Sequence, residues 1–349
     1  MAINPHSKFR KPGLLISASF FAMLFNSWCV VQASDMTSTL ESCIQEKVLT
    51  APDNLTVGEI KIQCRELEST VELAAVEEEK SDAAEKREDI EAANVLRPFT
   101  LMAHRQNYIL LAAHNFQGYS TEEFSDAFGG EDFSFKNTES QFQLSFKAPL
   151  AANLFEENID IFAAYTARSF WQVYQKDISS PFRETNHQPE VWVEFHPEFE
   201  LFGFRTMAVA LGAAHQSNGR SGNLSRSWNY VFADIAIHKG NFATFLRPWV
   251  RIPESDDNDD NPDLTDYLGH GELRFAYKYK DNVFSLMSRN NLESGFSKGA
   301  VEVGWSFPIP NYPYLKGYLQ YFSGYGESLI DYDKYVSRMG IGLLFTDIL

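Results

Sequence analysis

His215, Ser217 and Asn229 are a base, a nucleophile and an amide close together in sequence, which is the equipment of ester hydrolysis. A serine hydroxyl attacks a carbonyl only when a neighbouring base takes its proton. An imidazole serves as that base when a side-chain oxygen holds its other nitrogen in one tautomer. On a β-strand, side chains two apart share a face, so His215 and Ser217 stand within reach of each other. A turn around Gly222 with an antiparallel return brings Asn229 opposite His215. A lone strand histidine is usually structural, and it is the shared face that marks this one for chemistry. His104, His114, His187, His196, His238 and His270 have no such cluster and read as structural or surface residues. Arg183 and Arg226 read as partners of loop or barrel-interior ion pairs.

The elements that must carry these residues alternate in polarity. Val209, Leu211 and Ala213 share a face with His215 and Ser217, while Gly212, Ala214 and Gln216 point the other way. On the return, Val231, Ala233, Ile235 and Ile237 share a face with Asn229, and Asp234 and His238 oppose it. The trio therefore sits on the apolar face, which meets a core in a soluble sandwich and lipid in an outer-membrane barrel. About twelve comparable segments, beginning near Asn107, Ser140, Asp160, Val191, Phe204, Arg226, Asn241, Asp266, Asn282, Ala300, Pro313 and Lys334, fit an even-stranded barrel. Aromatic residues make up 14% of the chain and gather near segment ends, as interfacial girdles do. The last segment alternates through Met339, Ile341, Leu343 and Phe345 to Leu349, where a terminal aromatic would be usual. The expected fold is all-β, a twelve-stranded antiparallel transmembrane β-barrel with a short helical N-terminal periplasmic extension.

Lys8, Arg10 and Lys11 precede a mainly apolar run over residues 14–31 ending in Val31-Gln32-Ala33, so residues 1–33 read as an export signal peptide. Residues 34–96 read as an acidic, mostly helical periplasmic extension, with two short helices over 41–48 and 57–67 and acidic runs beyond, and residues 97–349 as the barrel. Loss of the signal removes Cys29 and leaves Cys43 and Cys64, either one disulfide or two free thiols. The formal net charge of -17 argues against nucleic acid as a partner.

From about residue 97 to the end, the chain resembles the bacterial outer membrane phospholipase A family. The blocks that carry the resemblance are Arg97-Pro98-Phe99-Thr100-Leu101, Asn107-Tyr108, Tyr165-Thr166, Ser179-Ser180-Pro181-Phe182-Arg183-Glu184-Thr185-Asn186, the stretch from His215 to Asn229, Asp259-Asp260-Asn261-Pro262-Asp263, and Gly324-Tyr325-Gly326-Glu327-Ser328-Leu329-Ile330-Asp331-Tyr332. The resemblance implies a site on the outer surface of the barrel, with Ser217 as nucleophile, His215 as general base and then acid, and Asn229 orienting His215. It implies that the Gly219 N–H stabilises the oxyanion, typically worth about 3 kcal/mol per donor. It also implies Ca2+ held by the Arg220 carbonyl and the Ser225 hydroxyl, with Ser179 of the partner subunit reaching in and Asp260 serving a calcium site of the monomer. Activity is then the hydrolysis of phospholipid acyl esters at sn-1 and sn-2 and of lysophospholipids, activated by homodimerisation in the outer membrane. Asp256, Asp257 and Asp259 are expected to be solvated loop charge.

Two departures from the family pattern bear on the dimer and on the catalytic turn. Ala167 replaces a Gln that makes a contact between subunits in the family, and Gly222 replaces an acidic residue of the catalytic turn. The competing class, a non-enzymatic porin or structural barrel, explains the alternation but not a Ser, His and Asn on one lipid-side face, where polar groups are costly. A soluble esterase requires a buried nucleophile, which the strand pattern disfavours.

Overall fold

A segment with one apolar and one polar face satisfies both as a strand of a closed sheet, because lipid takes one side and the lumen the other. The computed structural model describes residues 43–44, 47–49, 56, 58–65, 83–95, 97, 99–124, 134–155, 159–197, 199–255, 259–290 and 292–349. The export signal, the acidic run at 77–79, Asp256 and Asp257 lie outside the described residues. Twelve long strands form the wall: β1 (Asn107–Asn115), β2 (Thr138–Leu154), β3 (Ile159–Trp171), β4 (Phe182–Phe195), β5 (Phe204–Ser217), β6 (Ser227–Lys239), β7 (Phe242–Ile252), β8 (Gly271–Tyr279), β9 (Asn282–Arg289), β10 (Ala300–Ile309), β11 (Tyr312–Gly324) and β12 (Val336–Thr346). Each pairs antiparallel with its neighbour, and β12 returns to β1 with Gly340 opposite Ala113, so the barrel is closed.

The wall has opposite polarity to a soluble protein. Leu211, Val250, Ile341, Leu144 and Met339 are exposed on the outside, as a lipid-facing band requires. Inside, charge is buried in pairs: Arg183 with Glu139 and Asp331, Arg338 with Glu327, and Arg247 with Glu190 and Asp234. Glu190 also accepts from Arg105 at 3.2 Å and meets His104 Nε2 at 2.9 Å. These interior charges are tolerated because each has a partner of opposite sign in hydrogen-bonding geometry.

Four strands begin where alternation places them, at Asn107, Phe204, Asn282 and Ala300. β4 begins at Phe182 rather than Val191. Its first half reads as loop because the residues it turns inward, Glu184, Asn186, Gln188 and Glu190, are polar and buried. β8 begins at Gly271 rather than Asp266, because Leu264–Leu268 form a single helical turn, α2, whose Leu264 and Leu268 are buried.

The connections between successive strands are long at one end of the barrel and short at the other. Residues 172–181, 218–226 and 325–335 join strands at the long end, and 240–241, 280–281 and 310–311 at the short end. Barrels of this class put long loops outside the cell and short turns in the periplasm. One long loop turns inward: Leu329 N–H donates to Asn186 Oδ1 at 3.1 Å and Ile330 N–H to Glu184 Oε1 at 3.2 Å. At the short-turn end, helix α1 (Ala83–Val95) joins the barrel through Lys147 Nζ to Glu91 at 2.7 Å and Arg205 to Glu85 at 3.0 Å. Between them lies an interior cavity of about 1060 Å3 lined by charged residues such as Glu91, Arg105, Arg168 and Arg274.

The chain divides into two compact units, Met1–Lys80 and Ser81–Leu349, so α1 belongs to the unit that contains the barrel. In the first unit residues 58–65 are helical and a disulfide joins Cys43 to Cys64.

Candidate active site

β5 and β6 form one hairpin whose register fixes the site. His215 stands directly opposite Asn229 and Ser217 opposite Ser227. The outward parity of β5 and β6 is set by Leu211 and Val231, both exposed, and the inward parity by Ala210, Ala214 and Phe232, all buried. His215, Ser217 and Asn229 therefore share the outer, apolar face. His215 Nδ1 and Asn229 Oδ1 are 2.9 Å apart. An amide oxygen only accepts, so Nδ1 carries the proton and Nε2 is left able to take one. Ser217 and His215 are alternate residues of one strand face.

The loop over residues 218–226 is held by Asn218. Its Oδ1 accepts from Arg220 N–H at 3.2 Å and Arg226 N–H at 3.1 Å, and its own N–H donates to Arg226 O at 3.0 Å. Gly219 and Gly222 take φ of +66° and +63°, the left-handed region that a side chain would strain. The Gly222 found in place of an acidic residue therefore suits the turn, a one-turn 3-10 helix over Gly222–Leu224.

The expected oxygen donors fall into three places. Arg220 and Ser225 bracket the loop. The Arg220 guanidinium is drawn away to the Phe182 and Arg183 carbonyls and to Glu184, while the Ser225 N–H closes the 3-10 turn on Gly222 O. Asp260 is exposed in the loop before α2, which is tied to the hairpin because Asn261 Oδ1 accepts from Ser227 N–H at 3.0 Å. Ser179 is exposed at the end of the 3-10 turn Lys176–Ile178, with φ of +62°. A carbonyl, hydroxyls and a carboxylate are hard oxygen donors of the kind Ca2+ takes. Among the described residues no three or more His, Cys, Asp or Glu are grouped so as to hold a metal. Asp259 is a correction. It is not solvated loop charge but is partly buried, bound to Arg251 at 2.6 Å and accepting from Asn261 N–H at 3.0 Å.

Neighbouring strands bring in Glu254, which the sequence did not single out, and His187, which it read as a structural or surface residue. His187 on β4 lies directly opposite Ser217 in register, with Ala167 of β3 on its other side. Its Nδ1 is 2.5 Å from Tyr165 Oη, and the position a Cβ of Gly219 would occupy is 3.8 Å from its Nε2. Glu254, just past the end of β7, accepts from Asn229 Nδ2 at 3.0 Å. They come from the strands that flank the hairpin, His187 from β4 and Glu254 from just past β7, and no spacing signal within the hairpin marks them. Arg183 and Arg226 pair as expected, Arg226 with Glu123 at 2.9 Å.

A closed twelve-stranded barrel with charge inside, lipid-compatible residues outside, and a Ser, His, Asn cluster on its outer face defines a class: an outer-membrane β-barrel with a polar site turned toward lipid. The phospholipase A1 family model matches residues 84–345, which includes nearly all of α1. Phospholipase A1 of Escherichia coli strain K12 is 35% identical over 262 residues, covering 73% of this chain and 86% of that protein. A putative phospholipase A1 of Neisseria meningitidis serogroup B is 41% identical over 218 residues, 61% of this chain and 56% of the relative's length. The solved Salmonella typhi outer membrane phospholipase, a dimer with bound calcium, superposes with a TM-score of 0.67 at 35% identity, over 74% of this chain and 97% of that one. The chain belongs to the phospholipase A1 family and is an outer-membrane barrel phospholipase.

Proposed function

We propose that this barrel hydrolyses phospholipid acyl esters, at sn-1 and sn-2 and in lysophospholipids, through a calcium-dependent Ser217, His215 and Asn229 site that homodimerisation activates. The observation that carries this reading is the 2.9 Å contact between His215 Nδ1 and Asn229 Oδ1 on the lipid-facing side of the hairpin. Polar groups on that surface are costly unless function retains them.

His215 Nε2 takes the Ser217 proton as the hydroxyl oxygen bonds to the ester carbonyl carbon. The carbonyl oxygen gains negative charge, and the Gly219 N–H meets it. His215 then gives the proton to the departing lysolipid or glycerol oxygen, and water repeats the sequence to free the fatty acid. The Arg220 carbonyl and the Ser225 hydroxyl, with Ser179 of the partner subunit, would hold calcium, and Asp260 would serve the monomer. When bound, calcium adds positive charge beside the developing oxyanion. The calcium-bound dimer of the Salmonella typhi protein supports both the ion and the second subunit. Residues 1–33 then direct export, and residues 34–96 remain on the periplasmic side.

Refolded wild type and Ser217→Ala, each assayed for fatty-acid release from diacyl phospholipid in detergent micelles with calcium and with chelator, test this reading. Release by wild type with calcium alone is expected, with a loss of about 1000-fold or more in the variant. Undiminished hydrolysis by Ser217→Ala overturns the assignment. Wild-type release unchanged by chelator overturns the calcium half. Crosslinking to a dimer should rise with calcium and substrate, and crosslinking indifferent to both removes the activation step.

A further inference from the structure

A neutral asparagine leaves two needs unmet in a serine hydrolase. An amide presents either its oxygen or its nitrogen to a neighbour, and it carries no charge to set against the imidazolium formed during reaction. Glu254 answers both. Its Oε1 accepts from Asn229 Nδ2 at 3.0 Å, while Asn229 Oδ1 faces His215 Nδ1 at 2.9 Å. We propose that Glu254 is a positioning residue of the esterase site, the fourth member of a relay that runs Ser217, His215, Asn229, Glu254. This rests on the Ser217 reading above.

An ionised carboxylate has no hydrogen to donate, so it selects the NH2 side of the amide. Asn229 is thereby forbidden to turn over. A turned amide would set NH2 against His215 Nδ1 and draw the imidazole proton to Nε2, the atom that must be free to accept one. The second need is met by polarisation. Hydrogen bonds in series strengthen one another, and a bond to a charged acceptor is the strong kind. Electron density pushed by the Glu254 charge toward the Asn229 amide oxygen favours the imidazolium when His215 takes the Ser217 proton.

Place explains why the charge stands one residue removed. Asn229 is a strand residue on the outer face of β6, where a carboxylate would meet lipid at considerable cost. Glu254 lies two residues beyond the end of β7, at the long-loop end where water and headgroups begin. The cation nearest in sequence on β7, Arg251, is engaged by Asp259. Arg251 thus has its own carboxylate partner.

The test is steady-state hydrolysis of diacyl phospholipid in micelles, with calcium, across pH, for full-length wild type, Ser217→Ala, Glu254→Gln, Asn229→Asp and the Asn229→Asp/Glu254→Gln double variant. Folding of each is checked by heat-modifiable gel migration. Glu254→Gln should lower kcat about ten-fold or more with KM little changed. It should also move the acid limb of kcat/KM to lower pH, because His215 loses support for its protonated form. Asn229→Asp alone sets two carboxylates together and should be poor, whereas the double variant should regain activity over either single one. A folded Glu254→Gln with wild-type kcat and an unmoved acid limb overturns the relay while leaving the Ser217 reading intact. A fully active Ser217→Ala instead overturns that reading itself.

Discussion

The two faces of the wall made by β4, β5, β6 and β7 hold polar residues on opposite terms. On the inner face Glu190 is buried and meets His104, Arg105, Gln188 and Arg247, and Arg247 in turn meets Asp234. Each charge is answered by the protein. On the outer face His215, Ser217 and Asn229 stand among Leu211, Val231 and Ile235, and their contacts run to an amide and a single loop carboxylate. Polarity that is fully answered locks a structure, and polarity left partly open toward lipid is available to a substrate.

The contrast breaks most visibly from inside. Glu190→Ala would leave Arg105 and Arg247 with a lost partner in the lumen, and removing one member of a buried pair costs about 3–5 kcal/mol. Reversible denaturant unfolding of the barrel in lipid vesicles should register that loss, and a shift below about 1 kcal/mol would mean that the inner network is not what stabilises the wall. From outside, Leu211→Arg places on the lipid face a charge of the same kind that the lumen holds easily. Leu211 is 69% exposed, and a cation there should cost about 2–4 kcal/mol near the bilayer midplane. Unchanged unfolding in that variant would contradict the assignment of this face to lipid.

The smallest effect belongs to α1. Burial would raise the Glu91 carboxyl, but Lys147 and Arg87 outweigh it and hold it below the ordinary carboxylate range. A lowered folded value means stability that is present at neutral pH and lost as pH falls through that value. Glu91→Gln should loosen α1 by about 1 kcal/mol or less at neutral pH. The difference from wild type should vanish at pH values below the folded value. Proteolysis of α1 at the two conditions measures both, and a pH-independent difference would count against the ion pair.

How much of this was legible in sequence depended on whether the signal was local. The register of His215 with Asn229 followed from strand parity and one turn, and the outer band followed from alternation through Leu211 and Val231. Alternation failed where the lumen side is polar, as at Glu184, Asn186 and Gln188, because those residues look like loop until a closed wall gives them partners. His187 read as structural or surface, and Glu254 went unmarked, for a different reason. They reach the site through pairing of β4 with β5 and through the segment after β7, and no periodicity within one strand carries that information. Asp259 looked like one more loop acid because its partner, Arg251, sits on a strand whose end the apolar pattern does not mark.

With Ser217 as the proposed nucleophile, its outward orientation also sets the units in which this enzyme counts its substrate. A nucleophile opening to the lumen would meet molecules dissolved in water, at a molar concentration. One that opens sideways meets lipids already in the sheet around it, so the quantity that governs encounter is a mole fraction in two dimensions. Thinning phospholipid with inert detergent at constant total lipid would then slow turnover, although nothing in the aqueous phase had changed.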